Sequence, residues 1–431
     1  MLVSSDLSRN DLLNDLPEWI QDRLSRAGKL ADMMGLPVYL VGGIVRDLML
    51  GRPTTDVDLV VEGDGPTFSE RLSGIYAASL KHHSRFGTAT LTFPDGTKID
   101  IATARSERYD APAALPVVRN DTFRRDLKRR DFTVNTMAIC LNKDRYGHTV
   151  DPYNGVKDIA AGLVRVLHPH SFVDDPTRLF RAIRFEQRLK FTLERETLEL
   201  FREAVQGRMI DRLSDDRLRE QLRLMLEEAD PWPALARLDE LGALAAIAPE
   251  LHAKQETHRL FSAVTRWRET SDTGVPDTPA VWELYLLGMA APCPGSVPKL
   301  IERLKLQKDI AEGLRRLSDM RRIEQKVVEG SIASASAFYT SVHSLPPEIV
   351  FMTSIAHPDN IVRQFCFSYY HKHRYMQLPI DGHKLESLGI PEGPVYGKIL
   401  NAVHLAMIDG YVRTKQEASD KALAIWECRD R

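Results

Sequence analysis

The sequence predicts an α+β fold: a small mixed α/β head followed by an all-helical neck, body and tail. Three observations carry this. Between residues 38 and 166, short β-branched apolar runs alternate with glycine-rich and charged segments. After about residue 170 strand-like runs nearly vanish, and apolar residues recur at helical spacing. The 431 residues are too many for one ordinary core, so two to four domains are expected.

Taken in order, residues 8–34 read as one or two helices, with Leu12, Leu13, Leu16, Trp19, Ile20 and Leu24 roughly on one face. Strand-like runs follow at 38–41, 57–61, 88–93, 98–102 and 134–141, and Asp95-Gly96 marks a hairpin between the third and fourth. Gly42-Gly43 ends the first run. Residues 44–50 read as a helical turn or two closed by Gly51. The helical part reads as 175–191, 194–206, 214–228 and 232–246, then further helices to the end. Gly and Pro clusters near 273–278 and 292–298, and the loop-rich stretch 376–395, look like connections. The suggested division is an N-terminal helical segment 1–34, a head 35–166, a neck 167–230, a body 231–330 and a tail 331–431.

Composition excludes some classes. Apolar content of 43% and charged content of 27% suit a soluble globular protein. No run of ~18 apolar residues predicts a membrane span, and the acid-bearing start does not read as a signal peptide. Cys140, Cys293, Cys366 and Cys428 stand far apart without a CxxC pair. Neither a metal knuckle nor a disulfide framework is expected, and a reducing cytoplasm fits. A net charge of −2 decides nothing about nucleic acid, because local patches govern binding. One basic patch is plain at residues 124–130, "RRDLKRR".

The chemistry concentrates in residues 39–65, "YLVGGIVRDLMLGRPTTDVDLVVEGDG". Asp56 and Asp58 are two apart in a strand-like run, so both side chains face one side while Val57 faces the core. Two carboxylates so placed repel unless a cation sits between them, and a divalent metal is the usual solution. Gly42 and Gly43 let backbone N–H groups approach a phosphate at a helix N-terminus, and Arg46 is in reach of a triphosphate. Asp56 and Asp58 are placed to hold two Mg²⁺ ions, one activating an attacking hydroxyl and one bridging phosphates. Alone, a GG or a DxD is more often a tight turn beside an acidic strand; the ordered set is far more specific.

That set, "GGIVRD" then "DVDLVV", resembles the nucleotidyltransferase head of class II tRNA nucleotidyltransferases and bacterial poly(A) polymerases. The resemblance continues in family order through "RFGTATLTFPDGTKIDIATARSERY", "PAALPVV", "RRDFTVNTMAI", "DPYNGVKDI", "DDPTRLFRAIRFEQRLKF" and "RLSDDRLREQLRLML". It covers about residues 38–226 and is weaker beyond. It implies template-independent addition of C and/or A, from CTP and ATP, to the 3′ end of tRNA, with Mg²⁺ as cofactor. In "RRDFTVNTMAI" it implies that Arg130 and Asp131 contact ribose and phosphate and select the 2′-hydroxyl, with Asn135 bracing the turn. In "DDPTRLFRAIRF" it implies that Asp175 and Arg178 act as a protein template for the base. Three apart on a helix, they would lie on one face. A carboxylate accepts from the exocyclic amino group of C or A, and a guanidinium donates to the adjacent ring nitrogen. G and U present a carbonyl and a ring N–H there instead and are repelled. Arg181 and Arg184 match family residues close to the nucleotide. The competing reading of Asp175 and Arg178 is a surface salt bridge one turn apart.

Departures are informative. The family usually opens the template motif with Glu-Asp, where this chain has Asp174-Asp175, so no role is assigned to Asp174. In "RLSDDRLREQL" the family's two glutamates are replaced by Asp216 and Gln221, and this helix reads as a brace for the template helix. His82 and His83 have no ligand-spaced partner and read as solvent-facing or RNA-contacting. No His-Asp phosphohydrolase signature follows in the second half.

The main alternative is a poly(A) polymerase, a branch that tends to carry a basic signature after the metal strand and a basic C-terminal extension; here that stretch reads "HHSRFGTATLTF" and "KALAIWECRDR" is mixed in charge, which favours tRNA. A non-catalytic RNA-binding relative would not need both aspartates and the template pair. An aminoglycoside-type nucleotidyltransferase would not need the template helix or the helices beyond it. Whether CCA, only CC or only A is added stays open. The loop 109–123 is where such enzymes differ, and "FEQRLKF" with "VEGDG" is more similar to the A-adding type. The expected partners are tRNA and the nucleotide substrates, with no membrane and no obligate protein partner.

Overall fold

The computed structural model describes residues 12–83, 87–270 and 278–428; the sequence expectations for residues 8–11 and 273–277 lie outside them. The chain forms two compact units, one of Met1–Gln221 with Glu240–Ala246, the other of Leu222–Asp239 with Ile247–Arg431.

In the first unit a 3-10 turn at Leu12–Asp15 leads into helix α1, Glu18–Met34, which buries Ile20, Leu24, Ala27 and Ala31 completely. A Cβ on Gly28 would stand 2.0 Å from the Leu141 carbonyl oxygen, so glycine is what lets α1 lie this close to the sheet. The chain then runs β1 (Val38–Val41), α2 (Gly43–Met49), β2 (Val57–Val61), α3 (Gly65–Tyr76), β3 (Ser79–His83), β4 (Thr88–Thr92) and β5 (Lys98–Thr103). A hairpin of β6 (Arg105–Arg108) and β7 (Val117–Asn120) follows, then α4 (Phe123–Lys128), β8 (Ala138–Cys140) and β9 (Thr149–Val150). The seven-stranded sheet has the order β3-β4-β5-β2-β1-β8-β9. Within this sheet, among the described residues, only β2 and β5 pair in parallel, with Asp58 opposite Asp100. The Asp95-Gly96 turn joins β4 to β5 as an antiparallel hairpin, as the sequence predicts.

Three local expectations are corrected. The run 134–141 is a strand only over Ala138–Cys140, because Thr133–Asn135 turns in a 3-10 helix whose Asn135 side chain bonds Asp131. Part of the expected loop 109–123 is the second strand of the β6–β7 hairpin. The expected helix 175–191 is α7 (Thr177–Leu189), which starts two residues later and is preceded by a separate short helix, α6 (Ser171–Asp174), after α5 (Gly155–Ala161) and β10 (Leu163–Val164). Pro176 disfavours helical backbone at the residue before it, and Asp175 is extended at φ −135°, ψ 92°. Then β11 (Thr192–Leu193) pairs with β10, and α8 (Arg195–Gln206) and α9 (Asp215–Leu226) follow.

Among its described residues the second unit is helical. The helices Val281–Ala290 and Pro347–Ala356 are apolar on nearly every side, and Leu284, Tyr285, Leu286, Ile349, Val350 and Phe351 are buried at its centre. The stretch 376–395 is more than a connection: it contains the helix Gly382–Ser387. With Val395–Ile408 and Lys415–Glu427 that helix encloses a separate apolar cluster of Ile380, Leu385, Ile390, Ile399 and Val403. Among the described residues no helix is long and apolar enough to cross a membrane.

Candidate active site

A cleft of about 760 Å³ opens in the first unit, floored by the sheet and walled by α7. Eleven of the sequence-assigned residues line it: Gly42, Gly43, Arg46, Asp56, Asp58, Arg130, Asp131, Asn135, Asp175, Arg178 and Arg181. Arg184, the twelfth, is not on the cleft wall; along α7 the residues facing the cleft are Arg178, Arg181, Phe185 and Arg188.

The floor is set by β1 and β2. Gly42 takes φ +82°, a conformation open to glycine but strained for other residues. A Cβ there would lie 3.2 Å from Asp58 Oδ2 and 3.6 Å from Arg130 Nη1, so the space over the carboxylate stays open. Asp56 is exposed just before β2, and Asp58 is half-buried within it. Burial, then the charges of Asp56 and Asp100, push the Asp58 carboxyl up to about 6 against the opposing pull of Arg130. Asp100 escaped the sequence reading. It accepts a bond from Thr90 Oγ1 at 2.5 Å, and His83, also on the cleft wall, stands 3.4 Å from that hydroxyl. His82 instead faces Glu70 at 3.6 Å.

Arg46 is less available than the sequence suggests. It is 5% exposed, donating to Asp47 through Nε and Nη2 and to Asn135 Oδ1 through Nη1 at 2.7 Å. Three of its five N–H donors are engaged, which makes it a strut between α2 and the Asn135 turn.

Arg130 and Asp131 diverge. The Arg130 guanidinium reaches the buried Asp126 and the Asn135 carbonyl at 3.3 Å each, while its Nε is buried without a hydrogen-bond partner. Asp131 is enclosed: it accepts from the Phe132 N–H, Asn135 Nδ2 and, at 2.8 Å, Arg181 Nε. Burial alone would raise its carboxyl; Arg181, the Asn135 hydrogen bond and Arg178 outweigh that and hold it at about 2. Asp131 thus ties the sheet to α7. Asp131→Ala is expected to lower stability on the order of 2 kcal/mol, less than for a fully buried pair because the Arg181 side chain is 38% exposed. A carboxyl depressed to about 2 stabilises the fold above its unfolded value of about 3.9. That contribution is lost as pH falls toward 2, so thermal unfolding scans between pH 5 and 2 should show a steeper loss in the unmodified protein than in Asp131→Ala.

Asp175 and Arg178 both face the cleft, but not as neighbours on one helix. Asp175 precedes α7. Its Oδ1 accepts from the Thr177 N–H and hydroxyl and from Arg217 Nη2 at 2.6 Å, which leaves Oδ2 to an incoming donor. Its ion-pair partner is Arg217, so the surface salt bridge with Arg178 is not what the two residues form. Arg178, 4% exposed, is fixed by Ser171 Oγ at 2.7 Å and the Arg129 carbonyl at 2.8 Å. Arg217 Nη1 also holds the Ala113 carbonyl at the tip of the β6–β7 hairpin. Within "RLSDDRLREQL", Arg217 at the start of α9 thus forks between Asp175 and the hairpin tip.

Among the described residues no three His, Cys, Asp or Glu side chains stand together as a ready-made metal site. Two carboxylates still suit Mg²⁺, which keeps several waters and takes further ligands from substrate phosphates. The mutual repulsion felt by Asp58 and the open space beside Gly42 fit a cation at that point.

Residues 38–165 match the family described as poly A polymerase head domain, and residues 190–255 match that described as probable RNA and SrmB-binding site of polymerase A. The A-adding tRNA nucleotidyltransferase of Halalkalibacterium halodurans is 30% identical over 96% of this chain and 93% of its own length. That of Geobacter sulfurreducens is 36% identical over 93% of this chain, which spans 46% of that protein. The Thermotoga maritima CCA-adding enzyme complexed with tRNA superposes with a TM-score of 0.75 at 29% identity, over 96% of this chain and 97% of that one.

Proposed function

The chain belongs to the tRNA nucleotidyltransferase family, and from that premise we propose that it transfers nucleotides from ATP and/or CTP to the 3′ end of tRNA, A addition being the reading its curated relatives favour. The carrying observation is one cleft that holds the Asp56–Asp58 pair beside Asp175 and Arg178. The likeness to a CCA-adding enzyme supports completion of the whole CCA end as the second reading.

In the reaction, the RNA 3′-hydroxyl attacks the α-phosphorus of the bound nucleotide, a new P–O bond forms, and pyrophosphate leaves. Asp56 and Asp58 would hold Mg²⁺, which favours ionisation of the attacking hydroxyl and offsets phosphate charge. The open backbone at Gly42 and Gly43 admits the triphosphate closely. Arg130, whose side chain lines the cleft, meets phosphate or ribose oxygens. Asp175 Oδ2 accepts the base's exocyclic amino proton while Arg178 donates to the adjacent ring nitrogen. Fixing both beforehand lowers the entropic cost of orienting the base. Asp131, Asn135 and Arg46 act behind these groups by holding Arg181 and the turn in place.

Head and neck carry the chemistry in this reading, while body and tail grip RNA phosphates, which makes binding shape-selective and salt-sensitive. A cut after residue 330 would strip the helix Pro347–Ala356, with its buried Phe351, out of the second unit. A cut after about residue 376 keeps the helix Pro347–Ala356, removes the terminal cluster together with the Asp409 bonds to Ser336, and is the better test. The shortened protein should bind ATP normally and lose tRNA affinity about tenfold or more. Equal tRNA affinity across a salt series would remove residues 377–431 from the grip. Preferential extension of unstructured RNA by the full chain would favour the poly(A) polymerase reading.

A further inference from the structure

The helix Asn360–His371 and the turn after it carry an unusual surface. From residue 360 to 380 the chain has no Asp or Glu, but it has Arg363, Lys372 and Arg374 and two histidines. Asp359, just before, is engaged as the helix cap by the Ile361 and Val362 N–H groups. Phe367 and His371, four apart on the outer face, pack with ring centroids 4.3 Å apart and planes tilted by 45°, and Phe367 is 57% exposed. Beside them the Arg374 guanidinium lies 3.8 Å over Tyr370 and 4.5 Å from Tyr375, which is 50% exposed. Carboxylates on neighbouring elements reach this region: Glu348, felt by Tyr370; Glu324, felt by the buried Cys366 and accepting from Thr353; and Asp409, felt by His373 and already accepting from Ser336.

Exposed aromatic planes interleaved with cations, on a segment that carries no acidic residue of its own, match the needs of RNA. Nucleobases stack on aromatic faces whatever their sequence, and phosphates seek the flanking cations. A protein partner large enough to cover these rings would gain nothing from the one-signed charge unless it were itself acidic. We propose that this face docks the RNA substrate, stacking an unpaired nucleobase on Phe367 and Tyr375 while Lys372 and Arg374 meet phosphates. The inference rests on the reading that tRNA is the substrate. It adds a stacking contact to a grip otherwise made through phosphates.

The test uses the full chain and fluorescently labelled tRNA in anisotropy titrations over a salt series, with ATP binding and melting temperature as controls. Phe367→Ala should weaken tRNA binding about tenfold, with the salt slope unchanged. Lys372→Ala should weaken it less and reduce the slope by about 1. Both exposed positions should leave ATP binding and melting unchanged. Affinity within twofold for both variants, while the unmodified chain extends tRNA, overturns this inference alone. A change in sedimentation for Phe367→Ala at constant tRNA affinity makes the face a protein contact and overturns it too. Failure of the unmodified chain to bind or extend tRNA overturns the proposed function, and this inference with it.

Discussion

Asp58→Ala should abolish nucleotide addition, by about 10³-fold or more, while the metal-free protein should melt at the same or a higher temperature. The two effects have one cause. Burial and two neighbouring carboxylates raise the Asp58 carboxyl to about 6. A group whose folded value exceeds its unfolded one contributes stability at low pH and loses it as pH rises through the folded value. At pH 7.5 the metal-free fold therefore carries an unfavourable charge, and alanine removes it. Mg²⁺ binding offsets the same charge and competes with the proton. Magnesium should accordingly raise the melting temperature more at pH 7.5 than at pH 5.0, and that difference should vanish in Asp58→Ala. Asp56→Ala should abolish addition equally. Because Asp56 is exposed, no gain in metal-free melting temperature is expected. Mg²⁺-dependent addition at the normal rate by either variant contradicts the assignment.

Asp175→Ala should lower the preference for A and C over G and U by about 10²-fold or more, because in the proposed reading discrimination comes from leaving buried polar groups unpaired with the wrong base. The rate with the correct nucleotide also falls as orientation is lost. Arg178→Ala should act alike, with some loss of stability because it frees Ser171 Oγ and the Arg129 carbonyl in a buried place. Arg217→Ala separates positioning from contact. It leaves Asp175 in place but unbraced, so selectivity should fall part of the way, and Arg217→Lys should restore little because one ammonium cannot reach both Asp175 and Ala113 as the fork does. Single-nucleotide incorporation with each of the four triphosphates measures all three.

What the sequence made legible was local. Alternation around Val57 put Asp56 and Asp58 on one side, and Gly42 and Asp95-Gly96 stated their turns through residue type alone. Asp100 was not legible as a partner of Asp58. Its run was visible as a strand, but the parallel pairing of β2 with β5 is a long-range register that no local pattern encodes. The Arg217–Asp175 bond, 42 residues apart, is hidden for the same reason. The break before α7 was legible and overlooked: Pro176 restricts Asp175, and that signal outranks the helical spacing of Asp175 and Arg178. The hairpin of β6 and β7 was missed because Pro112 and Pro116 in its connection look like loop, while the pairing strands are only four residues each. The engagement of Arg46 follows from neighbours contributed by the distant Asn135 turn, which residue type alone does not reveal.

The most direct measurement gives the purified full-length chain three tRNA substrates, ending before the first C, after the first C and after the second C of the CCA end. Labelled ATP and CTP are supplied separately with Mg²⁺. The account predicts a single A from ATP on the substrate ending in CC, with little extension of an unstructured RNA primer. CTP incorporation on the shorter substrates would move the activity toward full CCA synthesis. No incorporation on any of the three, or long poly(A) tracts on the unstructured primer, would contradict the account.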